Sequence, residues 1–191
     1  MAASVDDPPM PGSDARSDAA LVAAINGGDP GAFETLYYRH RDWVVNIAFR
    51  FTGDRDLALD VLQETFLYFV RKFPGFNLTA QLKTFLYPAV RNLAIAARRK
   101  TVRLQSSEAD LAAMDTALTT EPVLSRNEAI RGALAVLSDE HREVLWLRFV
   151  DGLSLAEIGA AMEIPLGTVK SRLHNALDHL RSDTRTRSWF Q

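Results

Sequence analysis

The amino-acid sequence predicts an all-α protein with two small helical domains joined by a flexible linker, the second being a helix-turn-helix (winged-helix-like) domain. In two blocks the apolar residues recur at the i, i+3, i+4, i+7 spacing of amphipathic helices, and no segment shows the alternation of a strand. Between the blocks lies a stretch of small and acidic residues without a strong apolar face. The length of 191 residues suits one to two domains.

The chain divides into four predicted parts. Residues 1–17 form an acidic, proline-rich tail that we expect to be disordered, and residues 18–100 form the first domain. Residues 101–124 form the linker, and residues 125–187 form the second domain. The tail lacks the basic start and apolar stretch of a signal peptide, and no apolar run approaches the roughly 18 residues of a membrane span. We therefore expect no membrane partner.

The composition argues against several kinds of site. The chain has no cysteine, which excludes disulfides, thiolate zinc sites and a thiol nucleophile, and which fits the reducing cytoplasm where we expect the protein. None of the four histidines belongs to an H-E-x-x-H or E-x-x-H motif, and no glycine-rich phosphate loop is present. We therefore expect no cofactor, no metal and no catalytic residue. The formal net charge of −2 does not by itself indicate a nucleic-acid partner.

The first block begins with two helices and a clear break between them. An apolar stripe covers Ala32–Phe51, and "TGDRD" at Thr52–Asp56 interrupts it. Gly53 is suited to end the first helix, and Asp54 or Asp56 to cap the second.

A third helix follows a turn-rich loop. The second stripe covers Leu57–Val70, the loop "FPGFNLTA" covers Phe73–Ala80, and a third stripe starts near Gln81. We expect Pro88 to kink or interrupt this third helix, unless a helix begins there.

The second block starts with a helix from near Ser125 to Leu137. Ser138 is suited to cap the next helix, which ends at Asp151-Gly152. The apolar stripe of that helix consists of Val144, Leu145, Leu147 and Phe149.

A helix-turn-helix arrangement ends the block. Ser154 and Glu157 have the spacing of a capping box, which opens a short helix to about Met162. After the turn "EIPLG", a longer helix runs from about Thr168 to Leu180. A short helix, a turn and a longer helix in this order place the second helix for a DNA major groove.

The longer helix has two distinct faces on a helical wheel. The apolar face contains Val169, Leu173, Ala176, Leu177 and Leu180, and the polar face contains Ser171, His174, Asn175 and Asp178. Thr168, Lys170 and Arg172 lie at the helix start, where hydroxyls, cations and free N–H groups suit phosphates. Asn175 can make a bidentate contact to adenine. The pattern favours DNA binding over an ordinary amphipathic surface helix, with only the first two turns engaged because Asp178 follows.

Two further surfaces lie in the first block. Every charged residue from Lys83 to Arg103 is basic, and aromatic residues lie beside them in the sequence. Cations next to flat side chains are suited to bind single-stranded or opened nucleic acid. The same sequence pattern would also arise from a solvated, basic helix end whose neighbouring aromatic residues belong to the core. In "DVLQETF", one helix face can turn inward with Val61, Leu62, Thr65 and Phe66. The opposite face then presents Asp60, Gln63 and Glu64 to the outside, either as a protein-binding patch or as a solvated face.

Three segments, in this order, resemble the sigma factors of bacterial RNA polymerase, in the extracytoplasmic-function (ECF) branch of the sigma-70 family. The stretch with the D-x-x-Q-E step of "DVLQETF" resembles the polymerase-clamp-binding helices, and "LKTFLYPAVRNLAIAARRK" resembles the promoter-melting helix that reads the −10 element. "LSDEHREVLWLRFVDGLSLAEIGAAMEIPLGTVKSRL" resembles the domain that reads the −35 element. The similarity covers roughly Ala32–Arg181.

This resemblance implies a transcription initiation factor whose partners are core RNA polymerase (β′ clamp helices and β flap), promoter DNA and an anti-sigma factor. It assigns polymerase binding to Asp60, Gln63 and Glu64. It assigns the binding of opened −10 DNA to Phe76, Asn77, Leu78, Thr79, Lys83, Arg91, Asn92, Arg98, Arg99 and Lys100. It assigns the binding of −35 duplex DNA to Ser154, Thr168, Lys170, Ser171, Arg172, His174 and Asn175. The linker would run toward the active-site channel of the polymerase.

The sequence departs from the family pattern at three positions. Asn175 stands where an arginine commonly reads the −35 element, which shifts the expected preference toward adenine. Phe85 stands where tryptophan is frequent in the melting helix, and Pro88 is unusual there. Three other interpretations remain: a stand-alone helix-turn-helix regulator, an adaptor that uses its helices only for protein contacts, and a helical enzyme, which the absent motifs disfavour most.

Overall fold

The computed structural model describes residues 14–105 and 134–183. All regular structure in these two ranges is helical, which confirms the all-α prediction. The predicted tail up to residue 13, most of the predicted linker and the predicted helix start near Ser125 lie outside the described residues.

Four helices build the first domain: α1 (Asp18–Asn26), α2 (Pro30–Thr52), α3 (Arg55–Val70) and α4 (Leu82–Gln105). Helices α2, α3 and α4 all pack on one another, and α1 packs on α2. The fully or nearly fully buried side chains of this core include Leu36, Val44, Ile47, Phe66, Phe69, Leu86 and Val90. Helix α1 has only nine residues, too few to show a clear stripe in the sequence, yet it buries Leu21 and Val22.

The predicted break between α2 and α3 is confirmed. Gly53 caps α2 with a φ of 68°, a left-handed conformation that glycine adopts without a steric penalty. The carboxylate of Asp54 then accepts hydrogen bonds from the backbone N–H groups of Asp56 and Leu57, at 2.8 and 3.0 Å. These bonds satisfy donors that have no partner inside the helix.

Helix α4 continues through Pro88, so of the two expected effects, a kink or an interruption, the interruption does not occur. Proline removes one backbone donor and costs about 3 kcal/mol in a helix interior. The neighbouring side chains of Leu86, Tyr87 and Val90 are buried, so packing of this face against the core outweighs the local penalty. The helix also extends beyond residue 100, to Gln105.

The second domain contains α5 (Asp139–Leu145), a π-helical turn (Trp146–Val150), α6 (Leu155–Met162) and α7 (Leu166–Ser182). Helix α7 packs on both α5 and α6. The core between them contains Val144, Leu147, Leu153, Ile158, Val169 and Ala176. The predicted cap is present, because the hydroxyl of Ser138 accepts a hydrogen bond from the His141 N–H.

Phe149 does not belong to the buried stripe in which the sequence pattern placed it. Its exposed fraction is 64%, and Val150 beside it is 48% exposed. Phe149 stands two residues after the buried Leu147, which at about 100° per residue puts it about 160° away, on the opposite side of this segment. Leu147, in the same turn, is fully buried.

The two domains contact each other directly, mainly through α4 and α6. Side chains of α2 and α4 in the first domain meet the end of the π-helical turn and α5 in the second.

Candidate nucleic-acid interface

The helix-turn-helix is built as the sequence predicts. The hydroxyl of Ser154 accepts from the N–H of Glu157 at 3.3 Å, and the Glu157 carboxylate accepts from the N–H of Ser154 at 2.8 Å. This reciprocal pair fixes the start of α6. Helix α6 ends at Met162, and its capping residue Glu163 has a left-handed φ of 56°. The N–H of Ile164 then bonds to the carbonyl of Gly159 at 3.0 Å, which closes the turn before α7.

Gly159 allows the close approach of α6 to this turn. A Cβ atom at this position would lie 3.0 Å from the Ile164 carbonyl oxygen and 3.7 Å from a methyl group of Val169. A side chain here would push the turn away from α6. The helical pattern alone does not indicate this role of Gly159, although a glycine in the middle of a short amphipathic helix is itself a signal of close packing.

The two faces of α7 are arranged as the wheel predicts. Val169, Ala176 and Leu180 are buried, and Leu173 and Leu177 are half-buried against the core. The side chains left in solvent are Lys170, Ser171, His174, Asn175 and Asp178, with Thr168 half-buried at the helix start. A row of cationic and hydrogen-bonding groups therefore lies along one exposed face of the first two turns.

Local contacts hold several of these side chains. Ser171 donates to the carbonyl of Thr168 at 3.0 Å, and His174 lies 3.1 Å from the carboxylate of Asp178. The guanidinium of Arg172 forms an ion pair with Glu140 of α5 at 2.8 Å. Among the predicted −35 residues, Lys170 and Asn175 are exposed, and within the described part of the chain their side chains form no hydrogen bond or ion pair, so they are the most available for DNA.

The basic residues of α4 fall into two groups. Lys83 and Arg91 reach the second domain, where Lys83 donates to the Asp151 carbonyl and Arg91 to the Glu143 carboxylate. Farther along the helix, Arg99 and Lys100 are exposed and Arg98 donates to the carbonyl of Phe51 at 3.4 Å. Asn92 is also exposed. The half of α4 near Lys100 thus presents the predicted cations to solvent.

The loop before α4 combines packed aromatic rings with exposed polar groups. Phe76 packs between rings of the core, with its centroid 4.6 Å from that of Phe85 and 5.7 Å from that of Phe69. Asn77 and Thr79 are exposed, while Leu78 is half-buried and lines an open cavity of about 440 Å³ with Asp18, His40, Gln81, Leu82 and Lys83. Asn26, which the sequence analysis missed, fastens the loop by bonds to the Phe76 carbonyl and the Gly75 N–H.

The predicted orientation of α3 is confirmed. Asp60, Gln63 and Glu64 are exposed, whereas Val61, Leu62, Thr65 and Phe66 are buried. The apolar side chains of Leu59, Leu67 and Tyr68 are also partly exposed on this helix, at 40%, 48% and 37%. An exposed surface of mixed acidic and apolar groups is of the kind that protein partners cover.

Three buried charged side chains, which no sequence pattern marked, lie where the two domains meet. Arg50 of α2 pairs with Asp151, and Glu143 accepts hydrogen bonds from Tyr87 and Arg91. Burial raises the pKa of the Tyr87 hydroxyl well above its usual value, and the negative charge of Glu143 acts in the same direction. The phenol therefore stays protonated and donates to the carboxylate.

Neither a metal site nor a membrane span is found in residues 14–105 and 134–183. No group of three or more His, Asp or Glu side chains there could hold a metal ion. Within the same ranges, no helix has both the length and the apolar character needed to cross a bilayer.

Each of the two helical domains matches a known protein family. The sigma-70 region 2 family model matches residues 36–104, and the sigma-70 region 4 model matches residues 133–182. ECF RNA polymerase sigma factor SigW of Bacillus subtilis is 29% identical over 86% of this chain and 95% of its own length. ECF RNA polymerase sigma-E factor of Escherichia coli K12 is 28% identical over 86% of this chain and 92% of its own.

Solved structures show the same fold. CnrH, determined in complex with the cytosolic domain of CnrY, superposes with a TM-score of 0.62 at 22% identity, covering 86% of this chain and 94% of CnrH. The sigma factor RpoE from Bartonella quintana, determined with the anti-sigma factor NepR, gives a TM-score of 0.60 at 24% identity, covering 78% and 94%. The two matched regions coincide with the two helical domains, in the same order, and the chain belongs to the sigma-70 family of RNA polymerase sigma factors, in its ECF group.

Proposed function

We propose that this protein is a transcription initiation factor that binds core RNA polymerase and directs it to promoters by reading −35 duplex DNA and opened −10 DNA. The observation that carries the proposal is the presence, in one chain, of an exposed helix-turn-helix surface on α7 and a basic helix beside an aromatic loop. The protein itself would have no catalytic step. It would act in the cytoplasm, and an anti-sigma factor would be an additional protein partner.

The −35 element would be read by α7 in the major groove. Lys170 and the half-buried Thr168 lie at the start of the helix, where they can contact phosphates and fix its register. Asn175, one turn farther, is exposed and has both a donor and an acceptor for the edge of an adenine. Ser154 at the start of α6 is exposed and would contact the DNA backbone while its hydroxyl caps the helix.

The −10 element would be bound, after opening, by the first domain. Arg98, Arg99 and Lys100 would hold the phosphates of one strand, with Asn92 on the same helix. The half-buried Leu78 lines the open cavity described above and would contact an unstacked base there, with the exposed Asn77 and Thr79 beside it in the loop. Extruding a base costs a few kcal/mol of stacking, and contacts in such a pocket offset this cost.

Core polymerase would bind the exposed face of α3. Asp60, Gln63 and Glu64 are held outward because the opposite face of the helix is anchored in the core by Phe66 and Phe69. The partly exposed Leu67 would add apolar area to this contact. Substitution of an outward residue should therefore change binding and leave folding intact.

The direct test is a pull-down of the tagged chain with purified bacterial core RNA polymerase, followed by run-off transcription on a genomic DNA library. We expect binding, and transcripts that start at discrete sites. Absence of binding by a folded, inhibitor-free chain would overturn the proposal. Binding of α7 to duplex DNA in that case would indicate a stand-alone regulator, whereas loss of both activities would indicate an adaptor.

Variants of α3 and α2 make this test specific. Asp60→Arg should weaken binding to core polymerase by at least about tenfold, because a contact with a charged group contributes about 1.5–3 kcal/mol. Glu34→Arg introduces the same change of charge at an exposed position of α2 and serves as the matched control. Equal binding by both variants and the unmodified chain would remove α3 from the proposed interface.

A further inference from the structure

One face of α1 contacts α2, the core and the loop before α4 in turn. Asp18, Val22 and Asn26 are four residues apart, so their side chains lie one above the other on the same side of the helix. The Asp18 carboxylate pairs with Arg39 of α2, and Val22 is 2% exposed in the core. Asn26 extends this face to the loop between α3 and α4. Helix α1 therefore connects α2 with that loop.

The start of α1 is held by polar contacts. The guanidinium of Arg39 donates to Asp18 at 2.6 Å, and the Nε2 atom of the buried His40 lies 2.8 Å from the other oxygen of the same carboxylate. The hydroxyl of Ser17 accepts a hydrogen bond from the Ala20 N–H at 3.3 Å and caps the helix. Because the first turn is held in this way, the position of the last turn is determined as well.

The side-chain amide of Asn26 holds the loop by its backbone. Its Nδ2–H donates to the Phe76 carbonyl at 2.8 Å, and its Oδ1 accepts from the Gly75 N–H at 2.7 Å. These bonds join positions that are 50 and 49 residues apart in the chain. An amide has a donor and an acceptor side by side, so one side chain can satisfy both backbone groups.

The two held groups come directly before the residues that we propose to lie near an unstacked base. Asn77 follows Phe76, and Leu78 lines the open cavity of about 440 Å³. Asp18 and Ala19 of α1 line the same cavity. Helix α1 thus forms part of the cavity wall with its first turn, and with its last turn it holds the loop that forms another part.

Ring packing alone leaves the backbone of this loop less constrained. The ring of Phe76 lies 4.6 Å from that of Phe85 and 5.7 Å from that of Phe69, between centroids. These contacts fix a side chain, whereas the bonds from Asn26 fix the carbonyl and the N–H on either side of it. A binding site recognises its ligand only when its groups stay within about 0.5 Å of the required geometry, so support of the backbone affects recognition.

We infer that Asn26 is a positioning residue for base reading by residues 75–79, so that α1 determines how strictly the first domain discriminates between bases at one −10 position. Asn26 acts through the backbone of the loop and does not touch the DNA. The inference rests on the proposed function, because it requires that this loop reads an unstacked base.

The test measures base discrimination by the holoenzyme. Core polymerase is assembled with the unmodified chain or with Asn26→Ala, and fluorescence anisotropy follows the binding of a single-stranded oligonucleotide that carries a −10 sequence from the run-off experiment. Oligonucleotides substituted singly at each position compete for binding. In Asn26→Ala the preference for the best base should fall at least about fivefold at one position and stay within about twofold at the others.

Asn46→Ala is the matched control. Asn46 is exposed on α2, so this substitution removes the same amide group from a helix surface of the same domain. We expect it to leave base discrimination and binding to core polymerase within about twofold of the unmodified chain.

Hydrogen exchange of the Gly75 amide tests the contact itself, without polymerase or DNA. Asn26→Ala removes the acceptor of this N–H, and exchange should accelerate about threefold or more, as expected for the loss of one hydrogen bond. Asn26→Asp keeps the acceptor and loses the donor to Phe76, so Gly75 should stay protected. Its base preference should fall less than that of Asn26→Ala, since a uniform effect of the added charge on DNA affinity cancels in the ratio between bases.

Unchanged discrimination at every position in Asn26→Ala would overturn the inference, because the loop would then keep its geometry without the amide. An equal loss at all positions would also overturn it, since Asn26 would then only stabilise the domain. If circular dichroism shows that Asn26→Ala is unfolded, Asn26→Asp applies the same test, and unchanged discrimination overturns the inference. Failure of the proposed function is distinguishable, since it would appear as absent polymerase binding by the unmodified chain.

Discussion

Arg172 of α7 forms an ion pair with Glu140 of α5, with 2.8 Å between its Nη2 atom and the carboxylate. The Arg172 side chain is 20% exposed and the Glu140 side chain 64% exposed. The pair therefore lies at the edge of the proposed DNA-binding surface, where the carboxylate competes with a phosphate for the same guanidinium.

The substitution Glu140→Gln should free the Arg172 guanidinium to contact a phosphate. We expect the affinity for a −35 duplex to rise about two- to fivefold at low salt and the gain to shrink at higher ionic strength, because exposed charges are screened. The free energy of unfolding should change by no more than about 1 kcal/mol, as for other solvent-exposed pairs. Arg172→Ala is the matched variant and should weaken binding. Weaker binding by Glu140→Gln would show that the ion pair positions α7 for DNA.

The capping box at Ser154 gives a prediction about stability. Ser154→Ala removes the hydroxyl that accepts from the Glu157 N–H, and it should lower the free energy of unfolding of the second domain by about 1 kcal/mol. Ser154→Thr keeps an acceptor and should lie close to the unmodified chain. Urea denaturation of the full chain, followed by circular dichroism, measures both. Equal stability of the alanine variant would mean that water replaces the hydroxyl at this helix start.

Substitution of two glycines of the second domain by alanine should have opposite effects on the stability of the domain. Gly159→Ala places a Cβ atom 3.0 Å from the Ile164 carbonyl oxygen, and we expect a loss of about 1–3 kcal/mol from forced separation of α6 and its turn. Gly167→Ala, at the start of α7, meets no atom within 4 Å and should stabilise the helix by up to about 1 kcal/mol. Thermal unfolding of both variants measures the difference. Destabilisation by both would indicate that the backbone of Gly167 has a role of its own.

Local signals in the sequence were sufficient for most of the helix boundaries. Gly53, Asp54, Ser138 and Ser154 each act within three or four residues, so their effect is readable without knowledge of the fold. The inward and outward faces of α3 and α7 follow from periodicity for the same reason. Pro88 shows the limit of such signals, because its local penalty is outweighed by packing contacts from distant parts of the chain.

The contact between the domains could not be predicted in this way. Arg50 lies on the buried face of α2, one turn after Ile47, which marks it as a charge in need of a partner. Periodicity identifies the face but not the partner, since Asp151 comes from the other domain. The exposure of Phe149 is a different case, because a wheel at about 100° per residue already places it opposite the buried Leu147.

Asn175 provides the test of specificity at the −35 element. It is exposed on α7, and its amide is suited to the edge of an adenine. We expect Asn175→Ala to weaken binding by about 1–3 kcal/mol at one base pair and to change little at the others. Competition assays with duplexes substituted singly along the −35 element, bound by the polymerase holoenzyme, measure this profile. Lys170→Ala is the comparison, because loss of a phosphate contact should weaken binding about equally for every sequence and lower its salt dependence. A uniform loss for Asn175→Ala as well would place this side chain on the DNA backbone and leave base reading to its neighbours on α7.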